Sequence, residues 1–309
     1  MARQRPSGAL GMRRRLGWGL FLLSLLLCTP LRAADVLLTA SEDNPAVRTF
    51  TAELAAQRPQ DQVRFVALEQ LPAPGQLPSA TRLILLDPQS LDWRLQDPRG
   101  PATLVLRISR LQAQQRLQGG HPPGLSLLWS DPPPSRQLHL IRKVLPQARR
   151  VGVLYSEDSQ FLLNELRGAA QSLGLEIVAE PWDSTHDSRP LQNLLRNSDV
   201  LLGLDDPKLY NPKTVKNLLL SSYAQQRALI GPNAGFVRAG SLASTYSDQQ
   251  DWLKTLDSLL EQAPNRWPRA LYPADFKVLS NPQVARSLGI EEIDPQAVAR
   301  QLSEGEQRP

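Results

Sequence analysis

Short apolar segments alternate with amphipathic ones along most of this sequence, and this alternation limits the possible folds more than any other feature. Runs such as "ADVLLTA" (34–40) and "RRVGVLY" (149–155) are short, rich in aliphatic residues and bounded by turn-forming or polar residues, so they predict buried strands. Between such runs, segments such as 160–173 carry leucines at helical spacing. Alternation at these lengths predicts an α/β protein with parallel sheets and helices on both faces.

The predicted strands fall into two groups, separated by the proline-rich passage "GGHPPGLSLLWSDPPPS" (119–135). We interpret this passage as a crossing between two lobes, built around a short strand. The predicted strands are 34–40, 62–68, 81–87 and 102–108 before the passage, and 149–155, 175–180, 199–204, 228–232 and 241–247 after it. The last of these leads into a predicted helix over 248–262, so we expect more than one crossing between the lobes.

The N-terminal segment predicts export across a membrane. Three arginines at 13–15 precede an apolar run from 16 to 28, and two alanines at 33 and 34 follow it. This order is typical of a signal peptide cleaved after Ala33, and an uncleaved membrane anchor is the alternative. Lipidation of Cys28 is not expected, because three leucines precede it rather than small residues.

Removal of the predicted signal peptide changes the charge of the chain. The full sequence has 35 basic and 30 acidic residues, and residues 1–33 hold six arginines and no acid. Residues 34–309 therefore carry 29 basic and 30 acidic residues, a net charge of −1. A nucleic-acid-binding protein needs a basic face, so we do not expect a nucleic-acid partner.

Patterns typical of enzymes or of cofactor and metal sites are not found in the sequence. The only cysteine lies in the predicted signal peptide, and the three histidines, at 121, 139 and 186, do not have the spacing of a helical metal pair. Neither a nucleophile elbow nor a glycine-rich phosphate loop is present. We therefore expect neither enzymatic activity nor a cofactor.

Three segments together resemble a known family. They are "LPQARRVGVLYSEDS" (145–159), the stretch from Ser198 to Asp248, and "YPADFKVLSNPQVARSLGI" (272–290). In this order they resemble the ABC-transporter substrate-binding family with the type I periplasmic-binding-protein fold, which includes aromatic amino-acid binding proteins. The resemblance covers most of residues 125–293 and implies a bilobed α/β fold with two Rossmann-like parallel-sheet lobes and several crossings between them.

The resemblance implies a division of the chain. We expect an N-terminal lobe from 34–124 plus part of 241–280, a C-terminal lobe from 125–240 plus part of 281–293, and a tail over 294–309. The first lobe follows the family only in the order of its elements. Between its second and third strands, "EQLPAPGQLPSA" stands where the family has a helix.

Ligands of open α/β sheets bind beyond the carboxyl ends of the strands, so we take the candidate residues from those loops. Ser156 and Ser159, at a helix start, are candidates for a ligand carboxylate, and Asp206, which resembles the family's acidic position, for an ammonium group. The full candidate set is Ser41, Asn44, Asp87, Ser156, Asp158, Ser159, Trp182, Asp206, Asn233, Phe236 and Tyr246.

Each candidate also has a structural alternative. Ser41, Asn44 and Ser159 can equally cap helices, and Asp87, before a proline, can shape a turn. Trp182 and Phe236 can stack on a ligand ring or pack in a core. Asp205, next to Asp206, is expected to be solvated.

Two functions remain open. The first is solute capture: an exported protein closes on a small molecule, with an amino acid as one candidate, and delivers it to an inner-membrane ABC permease. The second is an accessory or sensor role, in which the same fold contacts a membrane receptor or kinase. The shortened first lobe favours the second modestly.

Overall fold

Two six-stranded sheets form the framework of the chain. The computed structural model describes residues 33–118 and 120–307, so the predicted signal peptide lies outside the described residues except for Ala33. The first sheet has the strand order β11-β5-β4-β3-β1-β2 and the second β12-β10-β9-β8-β6-β7. All neighbouring pairs are parallel except β10 with β12, so the predicted bilobed α/β architecture is confirmed.

The strands agree closely with the apolar runs in the sequence. Most are buried on both faces, because helices cover both sides of each sheet. Their bounds are β1 Asp35–Thr39, β2 Gln62–Phe65, β3 Arg82–Leu85, β4 Thr103–Ile108, β5 Leu125–Trp129, β6 Arg150–Tyr155, β7 Glu176–Pro181, β8 Val200–Leu202, β9 Ala228–Ile230, β10 Ala243–Tyr246, β11 Ala270–Leu271 and β12 Lys277–Ser280.

Four described helices belong to the first lobe: α1 Pro45–Gln57, α2 Pro88–Arg94, α3 Arg110–Leu117 and α9 Gln249–Leu260. Seven belong to the second: α4 Pro134–Val144, α5 Leu162–Gln171, α6 Arg189–Asn197, α7 Val215–Ala224, α8 Ala234–Ala239, α10 Pro282–Ser287 and α11 Pro295–Gln307. None of these described helices is long and apolar enough to cross a membrane.

The connection between β2 and β3 holds two short 3₁₀ turns, Leu68–Gln70 and Pro74–Gln76, and no α-helix. The prediction that "EQLPAPGQLPSA" does not form the helix found in the family is therefore confirmed. Its prolines remove backbone N–H donors and fix the chain in extended and turn conformations, which explains why an α-helix does not form there.

The lobe boundaries differ from those predicted. The strand at 125–129 is β5 of the first sheet, paired in parallel with β4, so the first crossing is at 130–133 rather than at 124. Similarly, β10 belongs to the second sheet, while α9 packs its leucines into the first lobe. Each lobe therefore takes elements from both halves of the chain, with further crossings at 247–248 and 272–276.

The C-terminal segment is part of the second lobe rather than a separate tail. Asn281 caps α10 by accepting hydrogen bonds from the N–H groups of Gln283 (3.1 Å) and Val284 (3.2 Å), and Gly289 ends the stub with a φ of 65°. Helix α11 then packs on α4 and β12, and Leu302 is only 4% exposed in the core of the second lobe.

Candidate functional site

The carboxyl ends of the two sheets face each other. Helix α3, which follows β4 of the first sheet, contacts the 3₁₀ turn Glu157–Ser159, which follows β6 of the second. The Gln115 amide donates a hydrogen bond of 3.0 Å to the Asp158 carboxylate across this gap. The cleft between the lobes is therefore bounded by the loops in which ligands of α/β sheets bind.

A second contact joins the lobes close by. The Arg110 guanidinium lies 2.5 Å from the Glu165 carboxylate on α5, and its Cζ lies 5.9 Å from the centre of the Phe161 ring. Phe161 is one of the few large apolar side chains left exposed, at 37%. Arg110 therefore binds the second lobe through both a charge and an aromatic face.

Ser156, Ser159 and Asp206 lie together, as predicted, but they bind one another. Both serine hydroxyls donate to Oδ2 of Asp206 at 2.6 Å, and the backbone N–H of Lys208 donates to Oδ1 at 2.9 Å. Asp206 is only 1% exposed. In this arrangement its carboxylate joins the turn after β6 to the loop after β8, and the polar side chains of the three residues are engaged with one another.

The candidates on the first lobe form a small network at its rim. The backbone N–H and the hydroxyl of Ser41 donate to Asp87 Oδ2 at 2.6 and 2.7 Å, and Asp87 Oδ1 caps α2 by accepting the N–H of Ser90 at 2.8 Å. Burial raises the pKa of Asp87, but the hydrogen bonds from Ser90 and Ser41 together bring it below its usual value. Asn44 caps α1 through the N–H of Val47 at 3.0 Å. Asp87 is thus ionised and tied to Ser41.

The aromatic candidates in the second lobe belong to its core. Trp182 is 1% exposed, and its indole N–H donates to the carbonyl of Asp187 at 2.7 Å. Phe236 is 8% exposed and packs edge-on against Tyr210, with 5.9 Å between ring centres. The packing alternative therefore describes both rings, because their apolar surface is already buried by protein.

Three further candidates differ in their surroundings. Asn233 is exposed and caps α8 through the N–H of Phe236 at 3.2 Å. Tyr246 is half-buried at the end of β10, opposite Lys277. Asp158, the acceptor for Gln115, also pairs with Lys208 at 2.7 Å, and this hydrogen-bonded cation lowers its pKa.

Two carboxyl groups that the sequence analysis did not select occupy the cleft. Asp131 follows β5 in the first crossing and accepts the backbone N–H of Arg110 at 2.9 Å. Asp205 follows β8 in the second lobe, next to Ser109 of the first, and is part-buried rather than solvated as we expected. One sequence feature could have identified Asp131 as a candidate, namely its position in "SDPPP", directly after a buried strand.

These two carboxyl groups affect each other. Burial raises the pKa of Asp131 to about 7, with the N–H of Arg110 opposing the rise and the charge of Asp205 adding to it. Burial also raises the pKa of Asp205, and the charge of Asp206 raises it further. A cation placed between the two carboxyl groups would favour the ionised form of both.

The space next to these carboxyl groups is small. Asp131 and Asp205 line a cavity of about 30 Å³ together with Gln137, Gly203 and Pro232. That volume suits roughly one water molecule, whereas sites for small molecules measure on the order of 300 to 1,000 Å³. The cavity is therefore too small, as it stands, to hold a solute.

A larger depression, of about 720 Å³, lies away from the cleft. It is lined by the α4–β6 connection, by Asp199 before β8 and by residues 289–298, and so it lies at the amino ends of the second-sheet strands.

Among the described residues there is no group of three or more histidine, aspartate, glutamate or cysteine side chains that could hold a metal ion.

No protein-family model matches the sequence, and no curated protein matches it. The fold is similar to that of many solved structures, three of which are compared below. A ligand-free, open substrate-binding protein with adhesive properties from Clostridium difficile has a TM-score of 0.65 at 15% identity, with 85% of this chain and 97% of that chain covered. An ABC domain in complex with L-Trp from Streptococcus pneumonia has a TM-score of 0.55 at 16% identity, covering 87% and 98%.

A conserved domain protein from Vibrio cholerae also has a TM-score of 0.55, at 17% identity over 86% of this chain and 97% of that one. Identities this low establish a common fold and no more. Each comparison covers nearly all of the other chain, so the likeness extends to both lobes and not to a single α/β unit.

Proposed function

We propose that this chain, whose fold is that of the type I periplasmic binding proteins, captures a small solute between its two lobes. It does so after export to the periplasm, and it delivers the solute to an inner-membrane ABC permease without any chemical step. The observation that carries this proposal is that two part-buried carboxyl groups meet where the lobes meet: Asp205 of the second lobe lies next to Ser109 of the first lobe and close to Asp131 of the crossing.

The carboxyl pair favours a solute with a cationic group. Two part-buried carboxyl groups with raised pKa values are costly to ionise together, and a bound cation would offset that cost. An amino acid, through its ammonium group, is one solute of this kind, and the L-Trp complex of a structural neighbour is consistent with it.

Closure of the lobes would complete the site. Arg110 and Gln115 of the first lobe contact Glu165 and Asp158 of the second lobe. Each contact gives a modest free energy, so a solute that bridges both lobes could shift the balance between open and closed forms.

The direct test is thermal unfolding of the protein purified from the periplasm of an expressing bacterium, with a panel of amino acids, amines, sugars, nucleosides and metal chelates. A solute at a hundredfold excess over its dissociation constant stabilises the native state by about 2.7 kcal/mol. We expect a raised midpoint with cationic compounds, and a much smaller shift in Asp131→Asn and Asp205→Asn. Absence of a shift with every compound would contradict solute capture.

An accessory or sensor role is the second candidate. The β2–β3 connection without an α-helix and the direct contacts of Arg110 and Gln115 with the second lobe favour a protein whose lobes stay together without a solute. Genes for a permease and an ATPase beside this one would favour capture, and a gene for a receptor or kinase would favour the second role.

A further inference from the structure

The cleft side of the first lobe contains an arginine without a charged partner. Arg107 is the last residue but one of β4, and the next residues, Ser109 and Arg110, already approach the second lobe. Its guanidinium Cζ lies 5.6 Å from the centre of the Phe50 ring on α1. Phe50 lies on the helix that follows β1, and β3 separates β1 from β4 in the sheet. To reach Phe50, the Arg107 side chain therefore extends sideways along the rim of the sheet.

A β-bulge sets the direction of Arg107. Val105 pairs with Leu127 but Ile108 pairs with Trp129, so β4 has one extra residue over this interval. Arg107 has a φ of 55°, in the left-handed region that costs most residues other than glycine on the order of 1 kcal/mol or more. Bulges of this kind are frequent beside binding sites, where they turn a side chain away from the strand's alternation.

The guanidinium of Arg107 has no polar partner. The residue is exposed to solvent, and the protein around it lowers its pKa by burial, with no charged group or hydrogen bond contributing. The neighbouring arginines at the rim are engaged, Arg48 with Asp43 and Arg110 with Glu165. Within the described ranges, the guanidinium of Arg107 makes no hydrogen bond or ion pair.

We propose that Arg107 binds an oxyanion of the captured solute, most simply a carboxylate, from the first lobe. This inference rests on the proposed function and adds a second recognition group to it. A planar guanidinium presents paired N–H donors that match the two oxygens of a carboxylate. With Asp131 in the crossing and Asp205 on the second lobe available for a cationic group, the site would then select a solute that carries both charges.

The test compares carboxylates with their neutral amides. L-phenylalanine and L-phenylalaninamide, L-leucine and L-leucinamide, and L-arginine and L-argininamide keep the ammonium group and differ only at the carboxyl carbon. Dissociation constants are measured for the wild type, for Arg107→Gln and for Arg48→Gln, which removes a rim arginine already paired with Asp43.

For at least one pair, we expect the wild type to bind the acid at least tenfold more tightly than the amide. Arg107→Gln should remove that preference by weakening the acid and leaving the amide unchanged, whereas Arg48→Gln should keep it. Without solute, Arg107→Gln should unfold at the wild-type midpoint, because the side chain is exposed.

Three results would overturn the inference alone: equal binding of acid and amide by the wild type, an acid preference that survives in Arg107→Gln, or a lowered midpoint of Arg107→Gln without solute. The last would mean that Arg107 serves the fold by covering Phe50. If neither the amino acids nor their amides bind the wild type, the inference fails, and so does capture of amino acids. The wider panel of amines, sugars, nucleosides and metal chelates then decides whether the proposed function survives.

Discussion

Arg110 of the first lobe and Glu165 of the second form an ion pair across the cleft, with 2.5 Å between Nη2 and Oε2. The Arg110 side chain is 16% exposed and the Glu165 side chain 47%, so the pair is only partly shielded from water. We therefore expect its contribution to closure to be about 0.5–1 kcal/mol. A contact of this strength is suited to a lobe movement that a solute must be able to control.

Removal of this pair should shift the solute-free protein toward open forms. Glu165→Gln is expected to raise the ratio of open to closed molecules by roughly two- to fivefold, as about 0.5–1 kcal/mol implies. Small-angle X-ray scattering would show a larger radius of gyration. Arg189→Gln breaks a pair within the second lobe and is the control. An unchanged radius in Glu165→Gln would mean that other contacts hold the cleft closed.

Asp131 should make the protein less stable as pH rises. Its pKa is about 7 in the folded state and close to 3.8 in the unfolded state, so between these values the folded state binds more protons. Stability must then fall as pH increases from 4 to 7. The loss should be on the order of 1–2 kcal/mol after allowance for partial solvation.

Denaturant unfolding between pH 4 and pH 8 tests whether the free energy of unfolding falls as pH rises. Asp131→Asn keeps an acceptor for the N–H of Arg110 but cannot ionise, and it should flatten this part of the profile. Asp205, whose pKa is also raised, acts in the same direction and should leave a residual slope. A profile of Asp131→Asn identical to that of the wild type would show that Asp131 does not titrate in this range.

Asp206 should matter for stability. Replacing it with alanine leaves the buried hydroxyls of Ser156 and Ser159 without their acceptor, at a cost of about 2–4 kcal/mol. Glu157→Ala removes an exposed carboxylate from the turn that contains Ser159, and it should change the free energy of unfolding by less than about 0.5 kcal/mol. Urea unfolding distinguishes them, and equal stabilities would refute the structural role assigned to Asp206.

Helix α11 should contribute to the stability of the second lobe. Leu302→Ala removes a side chain that is 4% exposed in the core and should cost about 2–3 kcal/mol. Leu220→Ala, on α7, is the matched control, because Leu220 is 57% exposed. If the two variants have the same unfolding midpoint, α11 does not pack as described.

Sequence patterns predicted the sheets well because burial on both faces leaves continuous apolar runs, as in β1 and β6. They misplaced β5 because the prolines and glycines that flank it indicated a crossing, while its pairing with β4 depends on residues far apart in the chain. Two short elements were not predicted, β11 with two residues and α8 with six, because segments of this length carry too little periodicity.

The site was predicted only in part, for a related reason. A sequence shows that Ser156, Ser159 and Asp206 lie at one edge of a sheet, but not that they hydrogen-bond to one another. It shows neither which of two adjacent aspartates faces the other lobe nor that a bulge redirects Arg107. These features depend on the distance between lobes and on strand register, which no local pattern encodes.

The central claim is that a solute binds between the lobes, and a reversible cross-link tests it most directly. Cys28 is the only cysteine in the sequence and lies in the predicted signal peptide, so Gln115→Cys and Asp158→Cys would place two unique thiols on facing sides of the cleft. A short, reducible bis-thiosulfonate reagent should join them and hold the lobes together. The most stabilising compound of the panel should then raise the unfolding midpoint of the reduced double variant and leave that of the cross-linked form unchanged. An equal shift in both forms would place the solute outside the cleft and contradict the account.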